Sequence, residues 1–243
     1  MRPFDPFIID ANTRHLYHFH NRTMSDRGSA GDDLSGVGGP TLDDDGLHCA
    51  NGSKYATTGA VVDWSGMANI TMQAWARFTG AQDHAVWEYP FSWFLDGNNY
   101  FRAGLLPTSG TYPLLYVAAK FAGSLVYSAK ELSADQWAVI TAAGGCHWGA
   151  TAYLNGAASA VKLYLNNTLS LTKGGTLGAI AGGNGKLNAG SYASNAAYAW
   201  TGWVDNLKVS DELLTSFPLV RFTEGRRGVA RGPGLDAIAG VAA

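Results

Sequence analysis

Short runs in which apolar and polar residues alternate recur along the chain: LYHFH (Leu16 to His20), LHCA, ITMQAWARF, PFSWFL, YFRAGLL, PLLYVAA, SLVYSA, WAVITAA, ATAYLNG, VKLYLNN and GWVDNLKVS. Most span four to nine residues and are bounded by Gly, Asn, Asp or Pro, the length and punctuation of strands joined by hairpins. None keeps a 3.6-residue apolar period through three turns, so no long helix is expected. A short helical turn around Ser210 to Ser216, capped by Ser210 or Asp211, is the one exception. Many short strands without intervening helices predict one all-β domain, an antiparallel sandwich or barrel.

Composition narrows this. Hydrophobic residues make up 47% of the 243 and charged residues 15%, against roughly 25% charged in an average globular protein. A disordered chain is excluded, as is a long solvated helix. The net charge of −2 supplies no basic field to gather nucleic acid or an anionic membrane, and neither is expected as a partner. The 31 glycines, 8 Trp, 11 Tyr and 10 Phe fit tight turns between aromatic-rich strands. The uncharged stretch from Gln136 to Val161 is interrupted by Gly, Asn and Thr and does not read as a bilayer span. The first residues, MRPFDPFIID, lack the basic and apolar regions of a secretory signal, so synthesis in the cytoplasm without export is expected. Cys49 and Cys146 have no metal-ligand spacing and read as buried free thiols, with a pair joined across the fold as the alternative.

Two segments stand apart. Between Asp26 and Asp45, six Asp face one Arg in a Gly-rich loop. After Phe217 the chain is Gly, Ala and Arg, with Arg221, Arg226, Arg227 and Arg231 as its cations. Such a tail cannot form its own core. Docking on a neighbouring subunit and folding back on its own domain both remain open for it. The expected organisation is therefore a sandwich over 1–216, with a core of about 10–211 and an N-terminal arm of 1–9, followed by a C-terminal arm over 217–243.

Four stretches, in order, resemble one superfamily. They are the strand Leu16, Tyr17, His18, Phe19 before a Gly/Asp-rich loop; Ile70 to Phe78; Trp137 to Ala143 followed by the hairpin Val161 to Ser170; and KLNAGSY with Ala199 to Asp211. Over about Asp10 to Asp211 the chain resembles the laminin G-like, concanavalin A-like lectin/glucanase superfamily. The resemblance implies an antiparallel jelly-roll β-sandwich. One departure is Asn167, where the hairpin turn usually has Gly; Asn accepts the same left-handed backbone. In some relatives an aspartate of the closing strand helps to hold calcium, and Asp205 matches that position. With Asp32 and Asp33 of the acidic loop it makes a structural calcium the candidate cofactor.

Catalytic chemistry is not apparent. The glucanase branch carries a Glu-x-Asp-x-x-Glu strand, and none of Glu88, Glu131, Glu212 or Glu224 begins that pattern. There is no nucleophile elbow, phosphate loop or His-Glu-x-x-His. His15, His18 and His20 form a cluster, read as satisfied polar positions at the sheet surface before a metal site. In AVWEYPFSWF, Trp87, Tyr89, Phe91 and Trp93 share parity and would line one face of an unbroken strand. Inward they are core; outward they are a stacking platform, and Pro90 marks an edge or a break. Trp87, Tyr89 and Trp93 with Asp96 and Asn98, together with Trp148 in a turn-rich setting, are the candidate carbohydrate- or partner-binding residues. The sequence favours a non-enzymatic attachment or structural subunit of a phage virion (capsid decoration, tail or fibre), with other subunits of the particle as partners. The alternative is a carbohydrate-binding module, calcium-dependent or not, that reads a surface glycan. A glycan lyase or hydrolase is the third reading.

Overall fold

The structure, a computed structural model, describes residues 9–50, 52–82, 85–193 and 195–217. The expectations for the N-terminal arm before residue 9, and for Arg221, Arg226, Arg227 and Arg231, lie outside the described residues.

Two antiparallel sheets pack face to face. The first runs, in spatial order, through β13 (Thr168–Gly175), β12 (Ser159–Leu165), β11 (Cys146–Tyr153), β6 (Asn69–Phe78), β15 (Gly202–Ser210), β4 (Gly46–Cys49) and β3 (Thr41–Asp43), with β1 (Thr13–Tyr17) also paired to β15. The second runs through β10 (Ser124–Glu131), β9 (Leu114–Phe121), β8 (Asn99–Leu106), β7 (Glu88–Asp96), β14 (Lys186–Ala189), β5 (Tyr55–Thr57) and β2 (Ser35–Val37). Period-two alternation sends Ile70, Met72, Ala74 and Ala76 of β6 and Leu115, Val117, Ala119 and Phe121 of β9 into a shared core. Trp64 and Trp93 stack there at 4.7 Å. The jelly-roll sandwich expected from the alternation is thus present. Cys49 and Cys146 are buried free thiols. At the β12–β13 hairpin, Asn166 and Asn167 both take left-handed φ, 46° and 65°, so the turn needs no glycine.

Two local expectations were wrong. Trp137 to Ala143 is not a strand: Ala134–Thr141 forms helix α1. Its start is set by a reciprocal cap, in which Gln136 N donates to Ser133 Oγ and Ser133 N donates to Gln136 Oε1, each at 3.2 Å. The segment after Ser210 is not helical. It crosses the outer face of the first sheet, where Thr71 Oγ1 donates to the Glu212 carbonyl (2.6 Å) and Leu214 N donates to Thr71 Oγ1 (3.2 Å). Phe217, placed in the arm by composition, is buried at 2% exposure against His147 and Tyr164. Among the described residues no helix is long and apolar enough to cross a membrane.

Candidate functional site

The site begins with a break in β7. Glu88 lies opposite Leu105 of β8 and Phe91 opposite Ala103, so three steps along β7 match two along β8. The extra residue is a bulge at Tyr89–Pro90, a place where proline's missing N–H costs no ladder bond. Gly104 makes the room: a β-carbon there would collide with the Glu88 carbonyl and stand 2.8 Å from the Tyr89 ring. The shared parity of the four rings is therefore broken. Phe91 and Trp93 enter the core, while Trp87 and Tyr89 turn to the outer face of the second sheet, against Tyr116.

Cross-strand partners share a face, so the register assembles that outer surface. One row reads Tyr127, Ala118, Arg102, Ser92, Asn188; the next reads Leu125, Lys120, Tyr100, Phe94, Lys186; on the other side stand Ala129, Tyr116 and Gly104. Tyr192 and Tyr198, from the segment after β14, pack onto the same surface. Five rings surround the Arg102 guanidinium, with centroids 4.2 Å (Tyr192), 4.7 Å (Tyr100), 5.3 Å (Tyr89), 5.4 Å (Tyr116) and 5.5 Å (Trp87) from its central carbon. All lie within cation–π range. Arg102 Nη2 donates to Tyr116 Oη at 3.2 Å. Among the described residues Arg102 forms no ion pair with a carboxylate. Burial raises the phenol pKa of Tyr89, Tyr116 and Tyr192, the last to about 12, so these hydroxyls are protonated donors at neutral pH. Beside the guanidinium, Asn188 Nδ2 donates to Ser92 Oγ (3.2 Å), which donates to the Ser191 carbonyl (2.7 Å). The rim is open: Trp87 is 38% exposed, Leu125 45% and Tyr127 53%.

Of the binding residues expected from sequence, only Trp87 stays a solvent-facing ring. Trp93 is sealed against Trp64, and Trp148 is fully buried 5.5 Å from Trp200; both are core, because their positions in β7 and β11 face the opposite sheet. Tyr89 is on the correct face but buried within the cage. Asp96 Oδ1 accepts from Asn98 N (2.7 Å) and Asn99 Nδ2 (3.1 Å), closing the β7–β8 turn at the far end of the strand from Trp87. Asp96 and Asn98 therefore do not join that ring in one site. Arg102, Tyr100, Tyr116 and Tyr192 were missed: strand alternation puts Tyr100 and Arg102 on one face of β8, but only the sheet register brings Tyr116 to them.

The histidines and the calcium candidates lie along β1, the loop that follows it and β15. β15 bulges between Asp205 and Lys208, where Asn206 takes φ 51°. Asp205 is fully buried. Its Oδ1 accepts from His20 N (3.2 Å) and Asn206 N (2.9 Å), and its Oδ2 from Asn206 Nδ2 (3.1 Å); the His20 imidazole lies 3.0 Å from Oδ1. His18 Nδ1 pairs with Asn206 Oδ1 at 2.7 Å and His15 Nδ1 with Asp26 at 2.8 Å. These histidines are buried ties between β1, the following turn and β15, not surface positions. Asp33 Oδ1 accepts from Asp26 N (2.8 Å), and Asp32 N donates to Asp26 Oδ2 (3.1 Å). Asp205, Asp32 and Asp33 are not gathered into one ligand set: among the described residues no group of three or more His, Cys, Asp or Glu side chains is placed to hold a metal ion.

No family model matches the sequence, and no curated protein matches it. Solved structures do. The binding domain of botulinum neurotoxin DC in complex with SialylT superposes with a TM-score of 0.58 at 10% identity, over 84% of this chain and 49% of that one. The same toxin's binding domain in complex with rat synaptotagmin II gives 0.59 at 11% identity, over 85% and 50%. The binding domain of Paraclostridial Mosquitocidal Protein 1 gives 0.55 at 13%, over 84% and 49%. This chain spans about half the length of those it resembles. These neighbours are toxin binding domains and not components of a phage particle, which overturns the virion reading drawn from the sequence. At such identities the likeness establishes architecture alone: the chain is an antiparallel jelly-roll β-sandwich.

Proposed function

We propose that this domain is a non-enzymatic carbohydrate-binding module whose ligand lies across the outer face of the second sheet. One observation carries the reading: Trp87 and Tyr127 stand exposed at the rim of a ring cluster that lies outside the sandwich core. Large apolar rings held in the open on a rigid sheet mark a binding surface. A sugar's C–H face stacks on such rings, while its hydroxyls need donors and acceptors close by; the Tyr116 hydroxyl and the Arg102 N–H groups supply them. A domain of the same fold in complex with SialylT supports this use of the architecture.

The test is a glycan array probed with the labelled full chain, followed by calorimetric titration of the best hit. Trp87→Ala and Tyr127→Ala should each weaken binding about tenfold, near 1.4 kcal/mol, with the unfolding midpoint little changed. A double variant that binds its glycan with unaltered Kd would remove this face as the site.

A further inference from the structure

We propose that Arg102 is an oxyanion-recognition group, so that the glycan read by this face is acidic and carries a carboxylate or sulfate. The inference rests on the carbohydrate reading above for its ligand and on separate observations for its chemistry. The first is charge. A partly buried guanidinium is normally matched by a carboxylate, yet the described residues offer Arg102 none. The three cross-strand rows around it add Lys120 and Lys186 and no acidic side chain.

The second observation is unfilled hydrogen-bonding capacity. Among the described residues Arg102 Nε and the hydroxyl of Tyr89 are buried without a hydrogen-bond partner, and Tyr89 has no exposed surface. Buried donors left unmatched are uncommon in native proteins. An oxyanion against the guanidinium edge would accept from Nε and from a terminal nitrogen together, the paired geometry that arginine offers and lysine does not. The third is rigidity. Five rings hold the guanidinium plane, so little side-chain freedom is lost when a ligand docks. Cation–π contact keeps the charge in place without consuming its N–H groups.

The experiment titrates the full chain with matched oligosaccharides and reads tryptophan fluorescence, to which Trp87 reports at 5.5 Å from Arg102. One pair is a uronate tetrasaccharide and its carboxyl-reduced form; the other is a sulfated tetrasaccharide and its desulfated form. At least one acidic member should bind tenfold or more tightly than its neutral partner, and which pair shows the preference names the anion. Arg102→Gln should abolish the preference, so that the acidic and neutral members of each pair bind alike. Arg102→Lys, which keeps the charge, should lose most of it and serves as the variant if the glutamine form does not fold. Neutral and acidic members binding alike would overturn the inference and leave the carbohydrate reading standing. A separate arm uses acetate and sulfate against chloride at equal ionic strength. A saturable, Arg102-dependent response there supports the anion site, and if no saccharide of either pair binds it removes the carbohydrate reading. No response to any anion or acidic saccharide overturns the inference.

Discussion

His147 should set much of the acid sensitivity of this fold. It lies on β11, fully buried on the outer side of the first sheet. The Phe217 ring is 5.1 Å from it, Trp75 is 6.1 Å away and Gln73 Oε1 is 3.1 Å from its Nε2. Burial drives its pKa down from 6.5 to about 3, so the folded protein holds it neutral as a donor to Gln73. Below pH 6.5 the unfolded chain binds a proton that the folded chain refuses. Stability is therefore full above pH 6.5, falls as pH drops, and stops falling on this account near pH 3. At pH 5 the loss relative to pH 7 is about 2 kcal/mol, from about 1.4 kcal/mol per pH unit over 1.5 units. Asp10 and Asp43 are also shifted, below 3.8. Their hydrogen bonds outweigh the opposing desolvation, and the stability they add is lost only as pH falls through that lower range. The window from pH 7 to 5 thus leaves these carboxylates out, and comparison with a His147 variant isolates that histidine. Urea unfolding of the wild type and His147→Gln at pH 7, 6 and 5 measures it. The glutamine keeps an amide donor toward Gln73, so the variant's stability should change by about 2 kcal/mol less across the window. Parallel pH profiles for the two proteins would refute the reasoning.

Two further outcomes follow from the packing. Gly104→Ala should destabilise by about 2 kcal/mol or more, because the added methyl meets the Glu88 carbonyl and the Tyr89 ring rather than a yielding side chain; chemical unfolding measures this, and a shift in tryptophan emission would report the disturbed Trp87. Phe217→Ala should cost about 3 kcal/mol by opening a gap over Gly149, His147 and Tyr164. A midpoint equal to wild type would mean that the chain beyond β15 is not packed on the sheet.

The sandwich was legible because period-two alternation and turn residues act locally, and nearly every strand obeys them. Helix α1 escaped because its first turn, Ala134 to Trp137, carries no apolar period and its signal is the Ser133/Gln136 pair. The parity of Trp87, Tyr89, Phe91 and Trp93 misled for a different reason. Pro90 flagged an irregularity, but whether a proline ends a strand or bulges it depends on the partner strand, here on Gly104. Arg102 was invisible as a site because its cage comes from β7, β8, β9 and Tyr192, brought together only by the sheet register. In the sequence it is one polar residue at an ordinary outward position. The histidines were placed at the surface for a related reason: what buries them is tertiary, the β15 bulge at Asn206 and the loop that carries Asp26.

The bulge joins the fold to the proposed chemistry. Without the extra residue in β7, Trp87 and Tyr89 would continue the inward parity of Phe91 and Trp93, and the outer face would lose two of the five rings around Arg102. The irregularity is held by burial of the Tyr89 ring against Tyr116, Tyr192 and Tyr198, which offsets the open ladder position at Pro90. That contact needs no ligand, so the cage forms with the fold and presents Arg102 already positioned. Binding then has no loop to order and only the buried Nε edge to uncover, and affinity should respond to the charge and fork geometry of residue 102 more steeply than to changes in the surrounding turns.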